Sequence, residues 1–345
     1  MNSNSFQTCY GRLSKERLAA LIQLRSIVLR SLRRWLQENG FEEVTASSIV
    51  NFAGSCENPY ASFPIDVYGQ TAYLAQSAQL QLEPVVLRLK ERVFTQATSF
   101  RAEDYDDPES PGRRLSEFTL IEAEAPFPTG NPDTALDDLL NIIESMVKRT
   151  IAYALDHSQE AIGLLGGNID FLRKVTETQF SRITWSAARR LIDQEDSPRL
   201  DFGMVEERKI LSQHGNFPVF ITTHPSEIKF FNLKRSEDDK HCFSVDLLLP
   251  PLGETVGGGL REENAKKIKQ SLIGSRVGKI LAGRNEDSME VFRQYIEVLK
   301  EEEELLRGGF GLGFERFVAF LIGTNDILET VLDKDAVLPP RNTTH

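Results

Sequence analysis

The sequence predicts an α+β fold, and three observations predict it. Residues 100–124, FRAEDYDDPESPGRRLSEFTLIEAE, read as two strands of a hairpin: apolar and polar residues mix on both sides of a loop rich in Asp104, Asp106, Asp107, Pro108, Pro111 and Gly112, all turn formers. Residues 308–320, GGFGLGFERFVAF, alternate glycine with Phe310, Leu312 and Phe314. That is the pattern of a strand whose backbone something approaches closely, with an apolar helix opening behind it. Residues 14–39 and 131–155 carry apolar side chains at helical spacing.

The elements follow in order. Ser14 can cap a helix whose stripe is Leu18, Leu21, Ile22, Ile27, Val28, Leu32, Trp35 and Leu36, closed by Asn39-Gly40. Arg25, Arg30, Arg33 and Arg34 read as its solvated face. Residues 40–50 read as a strand. The helix at 131–155 has Pro132 near its start and a core stripe running from Leu136 through Ile143 and Met146 to Leu155. Residues 156–179 are poorly patterned, and His157 and His214 read as surface residues. Residues 217–234, FPVFITTHPSEIKFFNLK, alternate as buried strands, and 262–307 read as charged helices whose EEEELLR run is a solvated face.

Composition sets the class. The 345 residues carry 40% hydrophobic side chains, enough for a substantial core. The absence of an 18-residue apolar run argues against a membrane helix, and MNSNSFQTCYGRL lacks a signal-peptide core. Cys9, Cys56 and Cys242 have neither pairing nor metal-ligand spacing, which fits reduced thiols and a cytoplasmic location. A net charge of −11 argues against an extensive RNA interface.

Chemistry concentrates in the hairpin. Arginines held on a rigid strand pair suit a polyphosphate, and an aromatic ring one strand over can stack on a purine. FRAE–loop–RLSEF together with GFGLGFER resembles motifs 2 and 3 of the class II aminoacyl-tRNA synthetases, in the subclass of the aspartyl, asparaginyl and lysyl enzymes. GFEEVTASSIV resembles motif 1, with Ala46 in place of the family's proline. Residues 56–83 resemble the asparaginyl pocket segment: Glu57 is at matching spacing, followed by Asn58-Pro59, and Ser77, Gln79 and Glu83 match further on. The resemblance covers residues 14–345, taken as one catalytic domain behind an N-terminal extension, 1–13.

The resemblance implies an antiparallel sheet flanked by helices, ATP as substrate, Mg²⁺ and a homodimer. Arg101 would hold the α-phosphate and the incoming carboxylate, Glu103 the adenine or amino group, and Arg114 the γ-phosphate. Phe118 would lie below adenine with Arg316 above it. Asp246 and Glu254 would carry Mg²⁺, since hard carboxylate oxygens beside phosphates suit that ion. Glu57 would accept the substrate ammonium, with Ser77 and Gln79 in the same pocket. Leu82 stands where the aspartyl enzymes put a lysine, so Glu83 would accept from a substrate amide while Arg261 reaches its carbonyl.

The catalytic helix begins at about Ser14, which leaves no room for the subclass's N-terminal anticodon domain. The motif 2 loop carries Asp104, Asp106, Asp107 and Glu109, which repel a phosphate backbone. Together these imply activation of asparagine, aspartate or an analogue as an adenylate, then transfer to a non-tRNA acceptor such as ammonia, as in the archaeal-type asparagine synthetase. Aminoacylation of tRNA is the alternative, and an inactive regulatory copy the lesser one.

Overall fold

The protein is described from a computed structural model covering residues 13–51, 61–102 and 112–332. The strands are β1 (Phe41–Glu43), β2 (Ile49–Val50), β3 (Pro64–Val67), β4 (Gln70–Leu74), β5 (Arg92–Phe100), β6 (Glu117–Pro126), β7 (Ser181–Thr184), β8 (Val219–Thr222), β9 (Ser244–Leu249), β10 (Gly253–Arg261) and β11 (Arg307–Gly313). The helices are α1 (Lys15–Glu38), α2 (Gln79–Leu89), α3 (Pro132–Leu165), α4 (Ile169–Glu177), α5 (Trp185–Leu191), α6 (Met204–Gln213), α7 (Ala265–Gly274), α8 (Arg276–Gly283), α9 (Ser288–Val291), α10 (Arg293–Glu301) and α11 (Phe314–Ile322).

An eight-stranded sheet runs in the order β1-β5-β6-β11-β10-β9-β8-β7. Its interior pairs are antiparallel; only β1 with β5 and β7 with β8, at the two edges, are parallel. A small sheet β2-β4-β3 lies apart. This is the helix-flanked antiparallel sheet that the sequence predicts.

The two long helices form where the sequence supplies caps. Ser14 accepts from Arg17 N–H at 3.3 Å, and Asn131 accepts from the N–H groups of Asp133 and Thr134 ahead of α3. Pro132 sits at the first helical position, where its missing donor costs nothing. Leu21, Leu24, Val28 and Leu32 of α1 join Leu139, Ile143, Met146, Val147 and Ile151 of α3, with α11, over one face of the large sheet. The strands alternate to match: Ile121, Ala123 and Ala125 of β6 enter this core, so Phe118, Leu120, Glu122 and Glu124 face the other way. Glycine at 258 and 309 follows from crowding, since a Cβ on Gly258 would lie 2.3 Å from Gly309 O and one on Gly309 2.3 Å from Ala123 O.

Four expectations change. The 40–50 strand divides, because after Val44 the chain leaves β5 and joins the small sheet. Only β8 forms within 217–234: Thr223 turns to a φ of 55° and Pro225 follows, so pairing stops at Thr222 and a 3₁₀ turn spans Ser226–Ile228. Helix α3 continues to Leu165, kinked at Ser158. Arg25 is not on a solvated face: it lies 3.2 Å from Glu315, donates to Thr330 O and stacks 4.7 Å over Phe314, tying α1 to α11. No helix among the described residues is long and apolar enough to cross a membrane.

Candidate active site

The sheet face opposite the core floors a cleft of about 310 Å³. Strand β6 supplies Phe118, Leu120, Glu122 and Glu124 from one face, by the alternation above. Arg101 and Arg114 enter from the two arms of the hairpin, which closes through Arg101 N–H donating to Ser116 O at 2.8 Å. The Arg101 guanidinium lies 5.1 Å from the centre of the Phe118 ring, stacked over it. Arg316, in the first turn of α11, donates to the backbone oxygen of Glu254. Behind it, Arg113 and Glu207 form a buried ion pair, and Glu207 also accepts from Glu254 N–H at 3.2 Å. Burial pushes the Glu207 carboxyl up to about 7 despite the opposing charge of Arg113.

Asp246 and Glu254 stand on the adjacent strands β9 and β10 and converge over Gly257, the cross-strand partner of Asp246. A Cβ at Gly257 would meet Glu254 Oε1 at 2.9 Å and Asp246 Oδ1 at 3.8 Å, so glycine leaves the space between the two carboxylates open. Burial disfavours ionised Asp246, but His224 and Lys229 outweigh it and hold the carboxyl below the usual range. Lys229 Nζ donates to both its oxygens at 2.8 and 2.9 Å. His224 Nε2 lies 2.9 Å from Oδ2, and burial lowers the imidazole pKa against the pull of Asp246.

The amino-acid end differs most from expectation. Ser77 hydroxyl and Ala78 N–H both donate to Glu122, whose carboxyl burial pushes upward. Arg261 grips Glu124 through Nε at 3.2 Å and Nη2 at 2.6 Å; burial raises the Glu124 carboxyl to about 7 against that pull. Glu83 is fully buried beneath them, and its expected free oxygen does not exist. Oε1 accepts from Asn232 Nδ2 at 2.6 Å and Gln79 Nε2 at 3.1 Å, while Oε2 accepts from Arg307 Nη2 at 2.7 Å and Tyr295 hydroxyl at 2.8 Å. Leu82 faces away, packed with Val86 and Val93, so it does not line the pocket as the comparison with a lysine assumed. Glu57, Glu103 and the acidic loop lie outside the described residues.

Of the predicted residues, Arg101, Arg114, Phe118, Arg316, Ser77, Gln79, Arg261, Asp246 and Glu254 come together in one cleft. The sequence reading missed Glu122 and Glu124, although their spacing of two and four from the 120 position on a strand already holding Phe118 was a usable signal. It also missed Lys229, and Arg113 with Glu207, which meet only through tertiary contact.

A nucleotide-sized cleft on an antiparallel sheet, with arginines at one end and a buried carboxylate cluster at the other, defines an adenylate-forming ligase site of the class II synthetase type. The chain belongs to that family: the model described as tRNA synthetases class II (D, K and N) matches residues 2–332. A probable mitochondrial asparagine–tRNA ligase of Dictyostelium discoideum is 31% identical, over 94% of this chain and 69% of that protein. Asparagine–tRNA ligase of Mycoplasma mycoides is 29% identical, over 90% and 70%. Among solved structures, Pyrococcus horikoshii asparaginyl-tRNA synthetase complexed with asparaginyl-adenylate superposes with a TM-score of 0.80 at 26% identity, over 94% of this chain and 70% of that one. The chain thus spans about 70% of the length of these relatives.

These matches correct the expected acceptor. Relatives covering nine-tenths of the chain are named as tRNA ligases, so transfer to ammonia or another free amine, as in an asparagine synthetase, is withdrawn. The expectation that tRNA is an unlikely partner falls with it.

Proposed function

We propose that the chain activates asparagine with ATP and transfers it to tRNA, as an asparaginyl-tRNA synthetase does. One observation carries the substrate choice. At the side-chain end of the cleft Arg261 and Glu124 form the wall, paired at 2.6 Å, and Arg307 and Glu83 lie fully buried behind them, paired at 2.7 Å. With Glu124 ionised, as its pairing to Arg261 favours, their charges cancel. A substrate carboxylate brought there would add an uncompensated buried charge, whereas a neutral amide adds none. The names of the relatives agree with that reading.

The chemistry follows from position. Glu122, with Ser77 beside it, accepts the substrate ammonium, whose charge replaces the missing solvation of that carboxylate. Arg101 and Arg114 take the phosphates and Phe118 the purine, with Arg316 on its other side. The substrate carboxylate oxygen attacks the α-phosphorus and pyrophosphate leaves. A tRNA terminal hydroxyl then attacks the carbonyl carbon and AMP leaves. Arg101 neutralises charge as it develops, and positioning supplies the rest. Asp246 and Glu254 would hold Mg²⁺, two carboxylates being a usual protein share for that ion; when bound, it neutralises phosphate charge.

The reading includes one catalytic domain from residue 14 onward, a cytoplasmic location and a two-fold dimer. Ile22 of α1, 49% exposed, and Ile49 of β2, 54% exposed, offer apolar surface for association. ATP–pyrophosphate exchange across asparagine, aspartate and lysine, followed by charging of an asparagine tRNA transcript, tests the function. Exchange with aspartate alone, or exchange with asparagine and no charging, would refute it.

A further inference from the structure

A second cleft, of about 850 Å³, lies between the Ser226–Ile228 turn and helices α7 and α8. Its walls carry Lys229, Arg235, Arg276, Lys279 and Arg284 against one carboxylate, Glu227. The chain as a whole has a net charge of −11, so this concentration of cations runs against its composition. Arg276, Lys279 and Arg284 are exposed, and Arg235, Arg276 and Lys279 have no ion-pair partner among the described residues. Like charges that outnumber the counter-charges in a concave site repel one another and raise the local concentration of anions. Gly274 and Gly283 also line it, and a Cβ at either would meet nothing within 4 Å, so backbone as well as side chain is accessible there.

The cleft shares one wall residue with the active site. Lys229 lines both, and its ammonium reaches Asp246 beside the adenylate position. An anion held in the basic cleft therefore lies next to the reaction centre. Five cations around one cleft suit a chain of phosphodiesters better than one compact phosphate, and RNA is the phosphodiester chain that the proposed reaction requires.

We propose that this basic cleft seats the phosphodiester backbone of the acceptor RNA's 3′ strand as it enters the active site. The proposal rests on the tRNA reading above and deepens it. The acidic hairpin loop then need not supply the phosphate contacts, because α8 and the residue 235 turn do so from the other side of Asp246.

The test combines Arg276→Ala, Lys279→Ala and Arg284→Ala in the full chain. ATP–pyrophosphate exchange reports folding and adenylation, and stays at the wild-type rate. Binding of a short single-stranded RNA ending in cytidine-cytidine-adenosine is followed by fluorescence anisotropy over a salt series. Three lost phosphate contacts should flatten the slope of log K against log salt by about 2 and weaken binding at least tenfold at low salt. A control in which Arg30, Arg33 and Arg34 of α1 become alanine keeps RNA affinity within about twofold of wild type. Unchanged affinity and slope in the cleft variant, an equal loss in the control, or a wild-type chain that binds no RNA would each overturn the cleft. Wild type that binds this RNA through the three residues but charges no tRNA would leave the cleft standing and bring down the acceptor reading alone.

Discussion

Glu83→Gln separates charge balance from shape at the side-chain end of the active site. Wild-type Glu83 and Arg307 are both fully buried and 2.7 Å apart. Removing the carboxylate leaves Arg261, Arg307 and Glu124, a net positive charge where the wild type has none. Glutamine offers one oxygen to four donors, and breaking a buried pair costs ~3–5 kcal/mol of stability, which a typical domain survives. The functional effect is larger in kind. At ~7 Å and an effective dielectric of ~20, one unit charge changes the energy of a substrate carboxylate by ~2.4 kcal/mol. That is roughly a 50-fold shift in the aspartate-to-asparagine ratio of kcat/KM. Exchange kinetics with both amino acids, alongside urea unfolding, measure it. The double variant Glu83→Gln with Arg307→Met removes both charges and should return the ratio towards wild type. A folded single variant whose ratio stays within about threefold of wild type would refute the electrostatic account of selectivity.

Three further outcomes follow from the same geometry. Arg316→Ala should cut ATP–pyrophosphate exchange at least ~100-fold while circular dichroism stays unchanged; exchange within about tenfold of wild type would remove it from the site. Gly257→Ala puts a methyl 2.9 Å from Glu254 Oε1, so that carboxylate must swing away; the Mg²⁺ concentration for half-maximal exchange should rise ~10-fold or more with adenosine binding unaltered. Burial pushes the Glu207 carboxyl up to about 7 in the folded protein from an ordinary 4.5, so its contribution is full below 4.5 and is lost as pH climbs through 7. Unfolding free energy should therefore fall by up to ~3 kcal/mol between pH 4.5 and 7 relative to Glu207→Gln, and parallel pH profiles for the two proteins would show that Glu207 is not the titrating group.

The sequence alone determined the local decisions. Ser14, Asn131 and Pro132 start the long helices because a cap needs only its own turn. The glycines of 308–313 announced a crowded strand because backbone approach excludes a Cβ wherever it occurs. Cleft residues on the hairpin and on β10 were legible through the motifs that carry the family resemblance, whereas Glu122 and Glu124 were missed although the alternation on β6 puts them on the same face as Phe118. Tertiary structure decided what depends on partners far along the chain. Glu83 is 224 residues from Arg307 and 149 from Asn232, and only the packing of α2 beneath β11 shows that its oxygens are already occupied. Leu82 reads as a pocket residue until β5 packs against its side of α2. Arg25 reads as solvated until α11 lies against α1. Charge is the common cause: a side chain's type is local, but whether its charge is free to meet a substrate depends on everything folded around it.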